Sequence, residues 1–258
     1  MVKPITDWTY KEAFRSHRGV ISPAQQTQLR DSRVAIAGMG GAGGIDLVTL
    51  ARLGVGHFTI ADPDRFELAN TNRQYGANVW TLGRLKSQVM AEVAKNINPD
   101  AEVWDLSDAI GRHNVNDFFD GCDLFVEAID FFEIEQRRIL LREAANRGIW
   151  AITAGPVGFG GIWIVFDPAG VSFDECLGVT AGMEHREMLA AFVQLVTGGK
   201  IPPYIDLSCL NLADRVGPSS GLACNIAAAG MACEAMRLLT GVGGVKSAPH
   251  VHGFDPYN

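Results

Sequence analysis

The residues best suited to chemistry begin with Gly38-Met39-Gly40-Gly41-Ala42-Gly43-Gly44. Glycines at that density let backbone approach a phosphate closely, and a helix starting among them points its free N–H groups at the anion. Gly38, Gly40 and Gly43 keep the GxGxxG spacing of a dinucleotide-binding loop, and Gly41 adds another bare position. Asp62 stands 24 residues after Gly38, where a carboxylate can accept both hydroxyls of a ribose. These residues predict an adenine nucleotide and leave NAD and ATP both open.

The following segment weighs toward ATP. Asn70-Thr71-Asn72-Arg73-Gln74 and then Lys86, 13 residues after Arg73, supply three amides and two cations. A pyrophosphate is handled largely by a helix N-terminus, whereas a triphosphate calls for added Arg and Lys and, as a rule, Mg²⁺. Asp130 follows the apolar run Leu124-Phe125-Val126-Glu127-Ala128-Ile129. That places it at the carboxyl end of a strand, where a carboxylate can hold a metal.

The elements that must position these groups follow from periodicity. Arg33–Ala37, His57–Ala61, Glu102–Leu106, Leu124–Ala128 and Trp150–Thr153 read as short strands. Between them, Ile45–Leu53 (stopped by Gly54), Arg84–Asn96 and Ile134–Arg147 read as helices. That alternation predicts an α/β fold with a doubly wound, mostly parallel Rossmann-like sheet. Helical stretches at Thr9–Arg18 and Pro23–Arg30 predict an N-terminal helical arm. Gly161–Phe166 and Val171–Phe173 around Asp167-Pro168-Ala169-Gly170 predict a hairpin. Helices over Glu184–Thr197 and Leu222–Leu239 complete a part with antiparallel strands and helices. The expected organisation is a single domain with an arm at 1–32, a nucleotide-binding part at 33–160 and a substrate or dimer part at 161–258.

Composition bounds the function. Of 258 residues, 47% are hydrophobic, 20% charged and 29 are glycine, with a net charge of -7. One large core fits that length, and global disorder does not. The acidic balance argues against nucleic acid as the main partner. No apolar stretch is expected to reach the roughly 20 residues of a membrane span, and with no signal-peptide core near the N-terminus a cytoplasmic protein is expected. The five cysteines, at 122, 176, 209, 224 and 233, form no CxxC pair.

GMGGAGG, ADPDRFELANTNRQ, GRLKSQ and EAID, in this order and spacing, resemble the ThiF/MoeB adenylyltransferase family, whose fold ubiquitin-activating enzymes share. The resemblance covers roughly residues 14–165. It implies that Gly38, Gly40, Gly41 and Gly43 approach the phosphates, that Asp62 holds the ribose, and that Asp64, the second acid of the D-x-D pair, is a further cofactor-binding residue. It further implies that Asn70, Arg73, Gln74 and Lys86 belong to the triphosphate site and that Asp130 binds Mg²⁺. The implied reaction is attack of a carboxylate on the α-phosphorus of ATP, the substrate being the C-terminus of a small carrier protein or peptide. ANTNRQ is also similar to the subgroup that cyclises threonylcarbamoyl-adenosine in tRNA, but the later half is not, and that subgroup is not adopted. An NAD-dependent oxidoreductase has no use for Arg73, Lys86 and Asp130 together. An inactive partner subunit would usually have lost the phosphate cations.

Three departures stand out. The zinc-binding cysteine pairs of many relatives are missing, so no zinc is expected. Cys176, with acidic neighbours, is expected to pack rather than react; His250 and His252, alternating in a short strand, are expected to pack or face solvent rather than bind a metal. Relatives complete the site with an arginine from a second subunit's N-terminal segment, which implies a homodimer. In Phe14-Arg15-Ser16-His17-Arg18-Gly19 the ungapped position falls on Ser16, and the choice is Arg15, with Arg18 second.

Overall fold

The structure, a computed structural model, describes residues 7–206, 208 and 217–257. The apolar strands predicted from sequence stack side by side: β1 (Arg33–Ala37), β2 (His57–Ala61), β3 (Glu102–Leu106) and β4 (Leu124–Glu127). They pair in parallel with one another and with β5 (Trp150–Val157). β6 (Gly160–Phe166) and β7 (His252–Phe254) then add on antiparallel, giving the seven-stranded order β3-β2-β1-β4-β5-β6-β7. The chain reverses direction across the sheet at β1, so β1 and β4 flank the crevice where such folds place ligands.

Both faces of the sheet are covered. On one, Leu47, Val48 and Leu50 of α3 (Gly41–Leu53), Met90 of α4 (Lys86–Ile97) and Ala227 and Met231 of α9 (Gly221–Thr240) pack against Val34, Ile36, Phe58 and Val126. Leu29 of α2 (Pro23–Asp31) joins them. On the other, α5 (Val115–Phe118), α6 (Ile134–Asn146), α7 (Phe173–Leu177) and α8 (His185–Thr197) bury Phe118, Leu140, Phe173 and Phe192 against Phe125 and Phe166.

Four expectations are corrected. Val171–Phe173 is not a strand: the hairpin partner of β6 is β5, joined through Gly158 and Phe159, while Ser172 caps α7 by accepting from the Glu175 N–H. A side-chain cap one residue before an apolar run reads as turn chemistry in the sequence, yet it starts a helix. The arm is not one helix over Thr9–Arg18 but α1 (Tyr10–Ala13) followed by a 3₁₀ turn at Arg15–His17. His250 lies outside β7; only His252 is in the strand, stacked on Trp163 with ring centroids 5.6 Å apart. Lastly, α9 has 20 residues and is long and apolar enough, by length and composition, to cross a membrane. Here it packs as a core helix on α3, β5 and β6, with half of its apolar window buried.

Candidate active site

Each feature of the glycine loop has a steric cause. Gly38 turns the chain out of β1 at φ +93°, and a Cβ there would lie 2.3 Å from the Ala128 carbonyl oxygen. A Cβ on Gly43 would fall 1.8 Å from the Gly38 oxygen, so only glycine lets α3 start this close to its own strand. Gly40 is the N-cap and Gly41 the first residue of α3, and neither receives a side-chain cap. The first N–H groups of α3 therefore face outward beneath any anion placed on the loop.

Asp62 follows β2 and is buried. One carboxylate oxygen accepts the Met39 N–H at 2.6 Å and the other the Asp64 N–H at 2.8 Å. Burial raises its pKa, while Lys86 and the two N–H bonds pull the other way. Asp64 holds Lys86 instead of reaching back: Lys86 Nζ is 3.0 Å from its Oδ2, and the Lys86 N–H donates to its carbonyl at 2.9 Å. A lysine at the first position of a helix opposes the helix dipole. Its side chain is only 9% exposed, so Asp64 is the group that keeps this cation in place.

Asn70 shapes the next turn. Its Oδ1 accepts the Glu67 N–H at 2.9 Å, and its carbonyl accepts from Arg73 and Gln74. The turn lays the Arg73 stem across the loop, with Cγ 3.5 Å from where a Gly41 Cβ would be, and its Nη1 donates to the Ala69 carbonyl and the Asn72 side chain, both at 3.0 Å. Gln74 is buried with its amide nitrogen 3.6 Å from a Gly40 Cβ position, and its Oε1 has no partner. The bare loop, the Arg73 stem and the Gln74 amide nitrogen beside Gly40 form a cradle that a phosphate chain fits.

Asp130 lies on the loop between β4 and α6, its Oδ1 accepting the Phe132 N–H at 2.8 Å. That loop hangs on a pair that sequence reasoning missed. Arg137 Nε is 2.7 Å from Glu127 Oε2, both side chains are buried, and the Thr153 hydroxyl also donates to Glu127. The remaining Arg137 nitrogens donate to the carbonyls of Ile129, Asp130 and Phe131. The available signal was a glutamate ending an apolar strand and an arginine ten residues later on the following helix. Among the described residues no three His, Cys, Asp or Glu converge as a metal site. A divalent ion beside Asp130 would therefore draw most of its ligands from phosphate and water.

Two sequence candidates lie elsewhere. Arg15 is exposed and paired with Glu12 at 2.7 Å. With Arg18, Phe14 and Arg30 it lines an open cavity of about 840 Å³ that shares no residue with the glycine loop. Cys176 is half-buried, and burial together with Glu175 raises its thiol pKa, the reverse of an activated nucleophile. Cys209 lies outside the described residues.

Asp46, one turn into α3, was also missed. It is wholly buried with neither carboxylate oxygen partnered, and burial, then Glu127, raises its pKa well above the usual carboxylate range. A raised folded-state pKa contributes stability below the unfolded value of about 4, and that contribution is lost as pH rises toward the folded one. Asp46→Asn is thus expected to overtake the wild type in Tm increasingly from about pH 4 upward. A Tm difference that stays constant from pH 4 to 8 would show that Asp46 titrates alike in the folded and unfolded protein and that burial does not raise its pKa.

A family model, that of the ThiF family, matches residues 14–258. The chain belongs to the ThiF family. It is 33% identical over 150 residues to a tRNA threonylcarbamoyladenosine dehydratase of Haemophilus influenzae, covering 58% of this chain and 57% of that protein. To the sulfur carrier protein ThiS adenylyltransferase of Escherichia coli it is 33% identical over 143 residues, or 55% and 56% of the two chains. The probable adenylyltransferase/sulfurtransferase MoeZ of Mycobacterium tuberculosis matches at 28% over 94% of this chain and 57% of its own. The chain thus spans little more than half the length of these curated relatives. In fold it is similar to E. coli MccB with ATP, at TM-score 0.67 and 20% identity, over 89% of this chain and 62% of that one. Family membership speaks against the NAD reading of the glycine loop.

Proposed function

We propose that this ThiF-family protein activates a carboxylate with ATP. A carboxylate oxygen attacks the α-phosphorus, the bond to the bridging oxygen breaks, and the products are an acyl-adenylate and pyrophosphate. The observation that carries this reading is the convergence of Arg73, Gln74 and the uncapped start of α3 on one bare cradle, with buried Lys86 paired to Asp64, two residues after Asp62. Little bond-making falls to the protein, which works by positioning and by neutralising charge. Mg²⁺, bound to the phosphates beside Asp130, would supply further charge neutralisation.

The substrate we propose is the C-terminal carboxylate of a small carrier protein or peptide. A relative named for its action on the carrier ThiS supports that class, as does β5. It runs on for four residues, Ala154–Val157, past the last register pair with β4, leaving extended backbone with no strand paired on that side among the described residues. We place the protein in the cytoplasm as a two-fold homodimer in which Arg15 serves the partner's site. Supporting this, Arg15 lines a cavity separate from its own glycine loop.

The test is pyrophosphate exchange into ATP with candidate carboxylates, beside calorimetric ATP binding. Arg73→Ala and Lys86→Ala should each lose about 1.5–3 kcal/mol of ATP binding, ten- to more than a hundredfold. Arg15→Ala subunits mixed with Lys86→Ala subunits should regain partial exchange, because one composite site is then whole. Unchanged ATP affinity in both cation variants would sink the nucleotide assignment. Failure of exchanging subunits to regain activity would remove Arg15 from the partner's site. Exchange that requires tRNA and ignores peptides would replace the carrier substrate with a nucleic acid one.

A further inference from the structure

β5 overhangs its parallel neighbours. Ala37, Glu127 and Thr153 lie level across β1, β4 and β5, and the glycine loop begins one residue past that level, at Gly38. Beyond it, among the described residues, residues 154–157 pair only with residues 160–163 of β6. The overhang therefore starts level with the glycine loop and leads about 13 Å away from it, at about 3.3 Å per residue. Gly155, inside the overhang, is bare for no reason internal to the fold. A Cβ there would meet no atom within 4 Å, and its φ is not positive. A strand glycine free of both demands marks a place where another backbone comes close.

Where the overhang ends, three aromatic rings meet. They are Phe159 in the turn into β6, Tyr204 from the segment between α8 and α9, and Tyr257 after β7, with ring centroids 5.3, 5.0 and 5.8 Å apart. The turn is pinned: Gly158 has φ +61°, and a Cβ on it would lie 2.6 Å from the Tyr204 hydroxyl oxygen. That hydroxyl accepts the Phe159 N–H at 3.1 Å and donates to Asp255 Oδ2 at 2.6 Å, while Asp255 Oδ1 accepts the Tyr257 N–H at 2.9 Å. Phe159 and Tyr257 nonetheless stay 39% and 65% exposed. Among the described residues, no Lys, Arg or His pairs with Asp255. Aromatic faces beside an uncompensated carboxylate attract a cation twice, through the ring quadrupoles and through charge.

We propose that Phe159, Tyr204, Tyr257 and Asp255 form a subsite for a basic side chain, Lys or Arg, carried by the substrate's tail roughly four or five residues before the reacting carboxylate. This rests on the reading of a carrier or peptide C-terminus above and deepens it. With the carboxylate at the glycine loop, an extended tail lying against Gly155 runs antiparallel to β5 and reaches the rings at the end of the overhang. Asp255 sits on the β6 side of the tip, its Cα 2.9 Å from where a Gly160 Cβ would be, so a side chain coming from the free edge of β5 must be long. Lys and Arg supply that length, with an apolar stem for the ring faces and a charge for Asp255. A glutamate at the same place would be repelled.

The probe is a set of octapeptide pools with free C-terminal carboxylates. In each pool the fourth and fifth residues from the end are both Lys, both Leu, both Glu or both Gly, and the other positions are randomised. Pyrophosphate exchange into ATP should give a KM for the Lys pool about fivefold or more below that for the Gly pool, with the Glu pool above both. Tyr257→Ala and Asp255→Asn should each bring the ratio of the Lys-pool to the Gly-pool KM to about one. Each variant is compared with itself on two pools, so loss of folded protein cancels from that ratio. Equal KM across the pools in the wild type overturns the proposal, and so does a preference for Leu, which would make the rings an apolar pocket. A Lys preference that survives in both variants overturns it as well, placing the subsite elsewhere. Exchange with none of the pools would remove the peptide-carboxylate reading and the proposal with it, an outcome distinct from equal exchange with all.

Discussion

Asp130→Asn is expected to cut adenylate formation at saturating ATP by about a hundredfold or more while changing ATP affinity less than tenfold. A metal ion that bridges phosphate oxygens is worth several kcal/mol as charge develops in the transition state, and about 2.7 kcal/mol corresponds to a hundredfold. Ground-state binding is shared among Arg73, Lys86 and the start of α3, so one lost metal contact weighs less there. The choice of asparagine matters. Asp130 Oδ1 accepts the Phe132 N–H, and an amide oxygen keeps that bond while removing the charge. Asp130→Ala should lose as much turnover and also loosen the loop. The measurement is the rate of adenylate formation across a Mg²⁺ titration. Wild-type metal dependence in Asp130→Asn would mean that the ion is held by another group.

How much of this was legible in the sequence follows from what each residue depends on. β1 and β2 are bounded as their apolar runs predict, because a buried parallel strand needs only a short β-branched or apolar segment between polar ends; β3, on the sheet edge with only Val103 buried, also keeps its predicted bounds. Gly38, Gly43 and Asp62 could be read because their demands are local: a positive φ, a close approach, a carboxylate at a strand end. What stayed hidden depends on partners distant in sequence. Asp64 reads only as a cofactor-binding acid, and its bond to Lys86, 22 residues on, is not visible in the spacing. Cys224 touches Gly41 across 183 positions, and no spacing rule announces that contact. The Val171–Phe173 segment misled because Asp-Pro-Ala-Gly is good turn chemistry whatever follows it. The Ser172–Glu175 capping box that decides for a helix is a pair of hydrogen bonds, visible in sequence only as S-x-x-E.

The buried pair beneath the Asp130 loop carries the largest expected effect on stability. Glu127 ends β4 in a wholly buried position, and Arg137 on α6 is 3% exposed, with its guanidinium 4.6 Å from the centre of the Phe192 ring. Removing one member of such a pair leaves an uncompensated buried charge, at a cost of about 3–5 kcal/mol. Arg137→Met keeps most of the aliphatic volume but strands Glu127 and takes donors from the carbonyls of Ile129, Asp130 and Phe131. For a chain of this size, 3–5 kcal/mol amounts to a fall in Tm of roughly 6–20 °C. Arg137→Lys should recover little, because a single ammonium cannot reach a carboxylate and three carbonyls in the fork that guanidinium spans. The double variant Glu127→Gln with Arg137→Met removes the stranded charge, so it should be more stable than Arg137→Met alone. Thr153 can still donate to the amide oxygen that the Glu127→Gln change leaves in place. Adenylation should remain impaired in the double variant, since the three loop carbonyls are still without their arginine and Asp130 is no longer held from below. The decisive comparison is thermal unfolding of the two single variants and the double, alongside their turnover. A double variant no more stable than Arg137→Met would mean that the loop carbonyls, and not the buried charge, account for the loss.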